Sequence, residues 1–250
     1  MDAIELRKTA AKQGVPQAIV EKDYALSVAL HEISGSELRK EIVFKGGTAI
    51  RKAYFPDARF SEDLDFTVLS SDKQHILKLV RALFEAREIS GIKFIGLEEE
   101  KRVGLTVSAK FISLLQQPQR LRLDFSFRKN LAMPPVEHKI EGYDFSDLLL
   151  VLPLQEIFAE KIHAIMGRVA PRDLYDAWFL LGKGVKPIPS LISKKFAYYN
   201  ETFNPEDLKG RLPSFEATWN RELRQFMKEV PDVKEAGKAL LDAISKLTTE

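Results

Sequence analysis

The sequence predicts an α+β fold in which strands come first and helices follow. Apolar residues alternate as in strands through much of residues 1–150, whereas from about residue 153 they recur at helical spacing. Strand-rich and helix-rich segments that are separated along a chain are typical of the α+β class. We therefore expect two regions, residues 1–150 and residues 151–250, and the second should be helical.

The first region should mix helices and strands. Helices are expected where apolar residues recur at helical spacing, at residues 16–34, 48–54 and 75–87. Strands are expected where short apolar or alternating runs occur, at residues 42–44, 64–69, 92–97, 103–112 and 120–128. The pair Pro134 and Pro135 predicts an irregular connection after the last of these strands.

The second region should contain helices alone. Amphipathic spacing predicts them at residues 153–168, 171–182, 188–199, 213–229 and 232–247. Pro171 supports one of these starts, because proline suits the first turn of a helix.

Composition excludes several classes of protein. The 250 residues include 38 basic and 36 acidic side chains and no cysteine. Disulfides, zinc–thiolate sites and thiol nucleophiles are therefore excluded, and the balanced charge does not by itself indicate nucleic acid. The N-terminal residues lack an apolar signal core, and no apolar run approaches the roughly 18 residues of a membrane span. We expect a cytoplasmic protein with no membrane partner.

A turn suited to phosphate follows the first predicted strand. Gly46 and Gly47 stand between that strand and a predicted helix, and Thr48 comes next. Glycines let backbone N–H groups approach an anion closely, and a helix start carries partial positive charge. The Thr48 hydroxyl could add a further hydrogen bond to phosphate.

Three carboxylates could converge beside this turn. Alternate side chains of a strand share a face, so Asp63 and Asp65 should point the same way. Asp124 lies on the polar face of a later strand, with Arg122 and Ser126. Two carboxylates about 4 Å apart repel by roughly 4 kcal/mol at an effective dielectric near 20, which a bound cation relieves. Oxygen ligands favour Mg²⁺ or Mn²⁺. Each motif alone is common in proteins without such a site, but the combination favours metal-dependent nucleotide chemistry.

Lys161 falls within the apolar stripe of its predicted helix. The side chain could reach water past its neighbours, form an ion pair with an aspartate of the next helix, or bind a triphosphate. In that next helix Asp173 and Asp176 are three residues apart and share a side. The position of Asp173 also suits a stabilising acidic residue at a helix start.

Five segments carry a resemblance to a known family. They are Glu21-Lys22-Asp23-Tyr24, Lys45-Gly46-Gly47-Thr48-Ala49-Ile50, Arg59-Phe60-Ser61-Glu62-Asp63-Leu64-Asp65-Phe66, Glu160-Lys161 and Arg172-Asp173-Leu174-Tyr175-Asp176. Together they resemble the nucleotidyltransferase toxins of AbiEii/AbiGii type, which include the MenT toxins. The resemblance covers nearly the whole chain, although the last fifty residues carry no motif of that family.

The resemblance implies a polymerase-β-like nucleotidyltransferase core with a mixed sheet, and a helical C-terminal region that completes the active-site cleft. It implies that Asp63 and Asp65 bind Mg²⁺, or Mn²⁺, and that Lys161 and Asp176 complete the catalytic set. An NTP would be the substrate, held by residues of the phosphate-binding segment: Lys45, Gly46, Gly47, Thr48 and Ser61. Asp124 matches a third carboxylate of the wider superfamily.

The resemblance also implies a biological role. Such toxins act in type IV toxin–antitoxin and phage-defence systems, with a separately encoded antitoxin, and some relatives add nucleotides to the 3′ end of tRNA. We therefore expect transfer of a nucleotide from an NTP to RNA. Two alternatives remain open at this stage. One is the same chemistry on a small molecule or a protein, and the other is a nucleotide-binding module without turnover.

Overall fold

The chain forms two units in the computed structural model, which describes residues 1–100, 104–112 and 114–246. The first unit comprises Met1–Lys129 and Pro135–Leu152, and the second comprises Asn130–Pro134 and Pro153–Glu250. Strands occur in the first unit and helices make up the second, so the predicted α+β class with a helical C-terminal region is confirmed.

A mixed sheet is the centre of the first unit. Its eight strands among the described residues are β1 (Ile42–Lys45), β2 (Asp63–Val68), β3 (Glu88–Ile89), β4 (Ile92–Glu100), β5 (Leu105–Ile112), β6 (Pro118–Ser126), β7 (Val136–Gly142) and β8 (Phe145–Val151). Their order across the sheet is β3-β4-β5-β6-β2-β1-β8-β7. The β2–β6 and β1–β8 pairs are parallel and the other neighbours are antiparallel.

The first unit also contains helices, one of which buries acidic side chains. They are α1 (Ala3–Gln13), α2 (Gln17–Ser34), α3 (Gly46–Ala49) and α4 (Lys73–Phe84), with a short 3₁₀ helix at Glu37–Lys40. Helix α3 continues into a π-helical turn, Ile50–Tyr54. Helix α2 is buried around most of its circumference, and its buried residues include the acidic side chains of Glu21 and Asp23.

Several elements of the first unit differ from the sequence predictions. The β7–β8 hairpin follows Pro134 and Pro135, where only an irregular connection was expected. In strand β7, Ile140 is the buried residue, so the apolar alternation that reveals a strand is absent. Helix α1 and strand β3 were also not predicted. The predicted strand at 103–112 begins at Leu105 in the structure, and Val103 lies outside the described residues.

The second unit is a set of helices whose starts are marked by proline. They are α5 (Leu154–Gly167), α6 (Pro171–Gly182), α7 (Pro189–Ala197), α8 (Pro205–Arg211), α9 (Pro213–Leu223) and α10 (Val233–Ser245). Helices α6 to α9 each have proline in the first turn, where its missing N–H costs nothing. The five predicted helices are present, with α8 in addition. Helix α9 ends at Leu223 rather than at 229, and the predicted end at 247 lies outside the described residues.

A buried ion pair ties the 130–134 segment to the helices of the second unit. Glu156 of α5 is fully buried, and its carboxylate accepts hydrogen bonds from the N–H groups of Ala132 and Met133 at 2.8 and 2.7 Å. Lys195 of α7 donates to the same carboxylate at 2.5 Å and to the Asn130 carbonyl at 2.7 Å. These bonds explain why five residues that precede β7 in the chain belong to the helical unit.

Within the parts of the chain that the structure describes, none of the helices combines the length and the apolar character needed to cross a bilayer.

Candidate active site

The two aspartates of the Asp-x-Asp motif open strand β2 and share one of its faces. Leu64 and Phe66 are buried, whereas Asp63 and Asp65, which alternate with them, are partly exposed. The predicted separation of an apolar face and a carboxylate face on this strand is therefore confirmed. The apolar face belongs to the core, and its burial fixes which way the carboxylates point.

A row of three phenylalanines sets the register of the strands that carry the site. Phe44 of β1, Phe66 of β2 and Phe125 of β6 are paired across the sheet. Adjacent rings in this row lie 5.5 and 5.3 Å apart between centroids. Contacts between aromatic side chains on neighbouring strands stabilise one register over its alternatives. The polar residues next to these rings are therefore aligned as well.

This register places Asp65 between a lysine and a second aspartate. Lys45 of β1 pairs with Asp65 on one side, and Asp124 of β6 pairs with it on the other. Asp63 pairs with Arg122 of β6 in the same way. The aspartates of the predicted strands at 64–69 and 120–128 can converge only if these strands are neighbours, and β2 and β6 are paired in the structure.

The glycine turn packs directly against the second aspartate of the motif. Gly46 adopts φ +78°, in the left-handed region that favours glycine. A Cβ atom built on Gly46 would overlap the Asp65 carboxylate, so another side chain has no room there. Thr48, which follows the two glycines, also binds β2, because its hydroxyl donates to the Asp63 carbonyl at 2.5 Å. The hydroxyl proton that was expected to reach phosphate is directed to β2 instead.

The Asp124 carboxylate has two donors of its own. The Thr106 hydroxyl donates to Oδ1 at 2.5 Å, and Arg122 Nε lies 2.8 Å from Oδ2. Burial lowers the pKa of Arg122, but the carboxylates of Asp124, Asp63 and Glu100 outweigh it and hold that pKa above its usual value. Asp124 is thus paired with a cation of its own strand and accepts a hydrogen bond from β5.

Asp124 lies beside the Asp63–Asp65 pair and has partners of its own. Among residues 1–100, 104–112 and 114–246, no group of three or more His, Cys, Asp or Glu side chains is arranged to hold an ion. Asp124 is paired with Asp65 across the sheet and accepts from Thr106 and Arg122. That Asp63, Asp65 and Asp124 bind a metal ion together stays a prediction.

The loop before β2 is buried and internally bonded. Ser61 is 8 % exposed, and the buried Arg59 donates from Nη1 to the Phe60 carbonyl at 2.9 Å. Lys45, at the end of β1, is half-buried. Lys45 is the last residue of β1, directly before the glycine turn, and Ser61 lies two residues before β2. Both residues were expected to contact the NTP, and that role stays a prediction.

Lys161 forms the ion pair with the next helix that was one of the interpretations of its position. Lys161 Nζ lies 2.8 Å from Asp173 Oδ1 and 2.8 Å from Asp176 Oδ2. Arg168 Nε approaches the other oxygen of Asp173 at 2.8 Å. Burial raises the pKa of Asp173, but the neighbouring Lys161 and Arg168 outweigh burial and hold it well below its usual value. These groups lock α5 to α6 within the second unit.

This lock should make the stability of the protein depend on pH. Because the folded-state pKa of Asp173 is depressed, its stabilisation is fully present above the unfolded value of about 3.9 and is lost as the pH falls through the lower, folded-state value. We expect Asp173→Asn to lower the free energy of unfolding by roughly 2–4 kcal/mol at pH 7, since it removes one partner of a buried pair. Urea denaturation should show this difference shrinking below about pH 4.

Glu201→Gln is the matched control for that measurement. Glu201 is more than half exposed and pairs with His163 at 3.0 Å in the same unit. An exposed pair contributes little, so its removal should change the free energy of unfolding by less than about 1 kcal/mol. Equal losses for Asp173→Asn and Glu201→Gln at pH 7 would contradict the assignment of the lock.

Residue by residue, the structure groups the predicted site residues within each unit. The first unit brings Lys45, Gly46, Asp63, Asp65 and Asp124 together where the end of β1 and the start of β2 lie beside the C-terminal half of β6. The second unit joins Lys161 to both Asp173 and Asp176. Thr106, which donates to Asp124, was not among the predicted site residues. Its place on an alternating strand was visible, but its register against β6 was not.

Comparisons with known proteins agree with this architecture. The family model described as "Nucleotidyl transferase AbiEii toxin, Type IV TA system" matches residues 28–245. The structure is similar to that of MenT4, a nucleotidyltransferase toxin from Mycobacterium tuberculosis H37Rv, with a TM-score of 0.78 at 19 % sequence identity. That similarity covers 100 % of this chain and 90 % of MenT4. No curated protein sequence matches this chain.

The family match spans well over half of the chain and contains the glycine turn, the Asp-x-Asp strand and the α5–α6 lock. The resemblance drawn from the sequence motifs is therefore confirmed. This chain belongs to the AbiEii family, the nucleotidyltransferase toxins of type IV toxin–antitoxin systems.

Proposed function

We propose that the protein transfers a nucleoside monophosphate from an NTP to an RNA 3′ hydroxyl, with Mg²⁺ held by Asp63 and Asp65. The observation that carries this proposal is the contact between the glycine turn and the Asp-x-Asp motif. Gly46 has no room for a side chain because the Asp65 carboxylate occupies the space. A turn that suits phosphate and a carboxylate that suits a metal ion are thereby adjacent, as nucleotidyl transfer requires.

The chemistry of these side chains fits a hard divalent ion. Asp63 and Asp65 offer carboxylate oxygens from one face of β2, and the chain has no cysteine to favour a softer metal. When bound, the ion supplies charge that stabilises the α-phosphate as the new bond forms and the pyrophosphate as it leaves. Mn²⁺ has the same preference for oxygen ligands and should substitute.

The glycine turn supplies backbone donors for the phosphates. Gly46 and Gly47 carry no side chains that would keep an anion away from their N–H groups. Thr48 holds this turn against β2 through its bond to the Asp63 carbonyl. We assign Thr48 a positioning role, because its proton is already donated within the protein.

The reaction is a displacement at phosphorus. The hydroxyl oxygen of the acceptor forms a bond to the α-phosphorus of the NTP, and the bond from that phosphorus to the bridging oxygen breaks. Pyrophosphate leaves, and the hydroxyl proton is released to water. The protein contributes positioning and charge rather than covalent chemistry, as is general for phosphoryl transfer.

Lys161 and Asp176 are also proposed to be required for transfer. The support is the resemblance of their motifs to the family and their mutual 2.8 Å ion pair. Asp176→Asn leaves Lys161 paired with Asp173, so the second unit should stay folded. We expect Asp176→Asn to lower the rate of transfer by at least about tenfold with a cooperative melt retained. A wild-type rate would assign the pair a structural role alone.

The class of acceptor can be identified by which molecules become labelled when the NTP is radioactive. Each of four α-³²P-labelled NTPs would be incubated with the protein and, separately, with total RNA, a protein extract or a small-molecule extract. We expect label in the RNA, with one NTP preferred, since family membership implies a toxin and some relatives act on tRNA. Label in protein or in a small molecule, with none in RNA, would overturn the RNA acceptor and leave the nucleotidyltransferase assignment intact.

A further inference from the structure

Three consecutive residues of helix α2 contact three different segments that carry the proposed site. They are Glu21, Lys22 and Asp23, and none of them has a direct role in the proposed reaction. Glu21 and Asp23 are 1 % and 3 % exposed, and acidic side chains are rarely so deeply buried without specific partners. Their partners show what this tripeptide holds in place.

Glu21 binds the connection that leads into β6. Its Oε1 accepts a hydrogen bond from the Leu115 N–H at 2.7 Å, and its Oε2 accepts one from Gln119 Nε2 at 2.5 Å. Gln119 belongs to β6, the strand that places Asp124 beside Asp65. Glu21 therefore fixes the start of β6, and the register of β6 against β2 places Asp124 beside Asp65.

Lys22 binds the residue next to the Asp-x-Asp motif. Its Nζ lies 3.2 Å from Glu62 Oε1, and Glu62 immediately precedes Asp63. Both side chains of this pair remain partly exposed, at 20 % and 29 %. Such a pair adds little to stability, so its removal should leave the fold intact.

Asp23 binds the turn that follows the glycine pair. Lys52 donates to Asp23 Oδ2 at 2.7 Å, Tyr143 donates to the same oxygen at 2.9 Å, and Arg51 Nε lies 3.7 Å from Oδ1. Lys52 is fully buried. Burial lowers its pKa, although the Asp23 carboxylate opposes that shift. Arg51 and Lys52 belong to the π-helical turn that continues α3, and π-helical turns often occur at functional sites.

Arg51 extends this contact to the loop before β2. Its guanidinium donates to the carbonyls of Pro56, at 2.8 Å, and of Ala58, and it lies 3.8 Å from the centre of the Phe60 ring. The path from Asp23 therefore runs through Arg51 to the loop that ends at Asp63. The segment from Gly46 to Asp63 is therefore held at Arg51 and Lys52, and again at Glu62, by the same turn of α2.

We propose that Glu21, Lys22 and Asp23 form an α2 clamp, a set of positioning residues that holds the glycine turn, the Asp-x-Asp strand and β6 at their catalytic spacing. The inference rests on the proposed function for its kinetic consequence. A displacement of about 1 Å between reacting groups lowers a rate by roughly 10²-fold. The clamp touches neither phosphate nor metal, and it acts through the elements that do.

The first test is a double-mutant cycle on Lys22 and Glu62. Lys22→Met and Glu62→Gln should each lower kcat for NTP transfer by about tenfold, with melting temperatures within about 2 °C of wild type. The double variant should lose no more than the worse single variant, because the two side chains act through one contact. Lys40→Met, which removes the exposed pair with Glu37, is the matched control and should keep the wild-type kcat.

Two results of this cycle would overturn the clamp. Wild-type kcat in both single variants would show that the contact has no kinetic role. A double variant that loses the product of the two single effects would show that Lys22 acts on its own, for example on a substrate phosphate. In either case the measured activity of the wild type still supports the proposed function, so the two failures are distinct.

The second test replaces the buried pair with apolar residues of similar size. A variant with both Asp23→Leu and Lys52→Met removes the two charges of the buried pair together. Arg51 keeps the carbonyls of Pro56 and Ala58 as acceptors, and Tyr143 keeps the Val20 carbonyl at 3.3 Å. Hydrogen exchange should rise at the amides of residues 46–58 and stay unchanged in α4 and β5. Unchanged exchange at 46–58 would contradict the clamp, and this readout decides the question even for a wild type that transfers no nucleotide.

Discussion

Asp65→Asn should lower the rate of nucleotidyl transfer by at least about 10³-fold while the protein remains folded. Asparagine keeps the size of the side chain and its contact with Gly46, but it lacks the charge that a divalent ion requires. The loss should therefore appear in kcat rather than in stability. Transfer from an α-labelled NTP to RNA measures the first, and thermal melting measures the second.

The control for this variant is Asp144→Asn. Asp144 is exposed at the turn between β7 and β8, in the same unit. Its change removes the same charge from the protein as a whole, so any effect of net charge on RNA binding is matched. A wild-type rate for Asp65→Asn, or an equal loss for Asp144→Asn, would rule out Asp65 as a ligand of the catalytic ion.

Gly46→Ala should damage both the fold and the activity. Alanine is strained at φ +78°, and its Cβ would overlap the Asp65 carboxylate, so the turn and the strand must move apart. We expect the free energy of unfolding to fall by roughly 2–4 kcal/mol from these two effects. The rate of transfer in the folded fraction should fall by about 10²-fold, because the phosphate-binding turn is displaced from the carboxylate. Urea denaturation and transfer kinetics at saturating NTP measure the two effects separately.

Gly184→Ala separates backbone strain from the steric conflict. Gly184 adopts φ +82°, close to the value at Gly46, but a Cβ there would meet nothing within 4 Å. This variant should lose only roughly 1–2 kcal/mol from strain and keep the wild-type rate of transfer. If Gly46→Ala and Gly184→Ala lost the same stability and both kept full activity, the contact between Gly46 and Asp65 would have no role in transfer.

Local patterns in the sequence predicted which face of β2 carries the two aspartates of the candidate site. Alternation is a property of consecutive residues, so the common face of Asp63 and Asp65 followed from the buried Leu64 and Phe66 without knowledge of the sheet. The same holds for the helices of the second unit, whose apolar stripes and initial prolines are local signals. The joint occurrence of several such motifs also predicted the family correctly.

Those local patterns did not predict which strands pair when they are far apart in the sequence. The parallel register of Asp65 and Asp124 joins residues 59 positions apart, and the parallel contact of Phe44 with Val151 spans more than 100. Strand β7 is polar along most of its length, because it is an edge strand, and so it carries no periodic signal. The partners of Asp124, Thr106 and Arg122, depend on that register.

Lys161 illustrates a further limit of sequence patterns. Its place in an apolar stripe indicated that its ammonium needs an anion, but an aspartate of the next helix and a triphosphate both satisfied that need. The ion pair depends on the distance between α5 and α6, which brings both Asp173 and Asp176 to 2.8 Å from Lys161. A pattern within one helix contains no information on that distance.

We propose that this protein carries out metal-dependent nucleotidyl transfer at the Asp63–Asp65 pair of β2. The most direct measurement is the stoichiometry of pyrophosphate released to α-labelled nucleotide incorporated into RNA by the wild-type protein, with Mg²⁺, with Mn²⁺ and with EDTA. We predict one pyrophosphate per nucleotide with either metal and neither product in EDTA. Incorporation that persists in EDTA, or an absence of both products with every NTP and both metals, would contradict the claim.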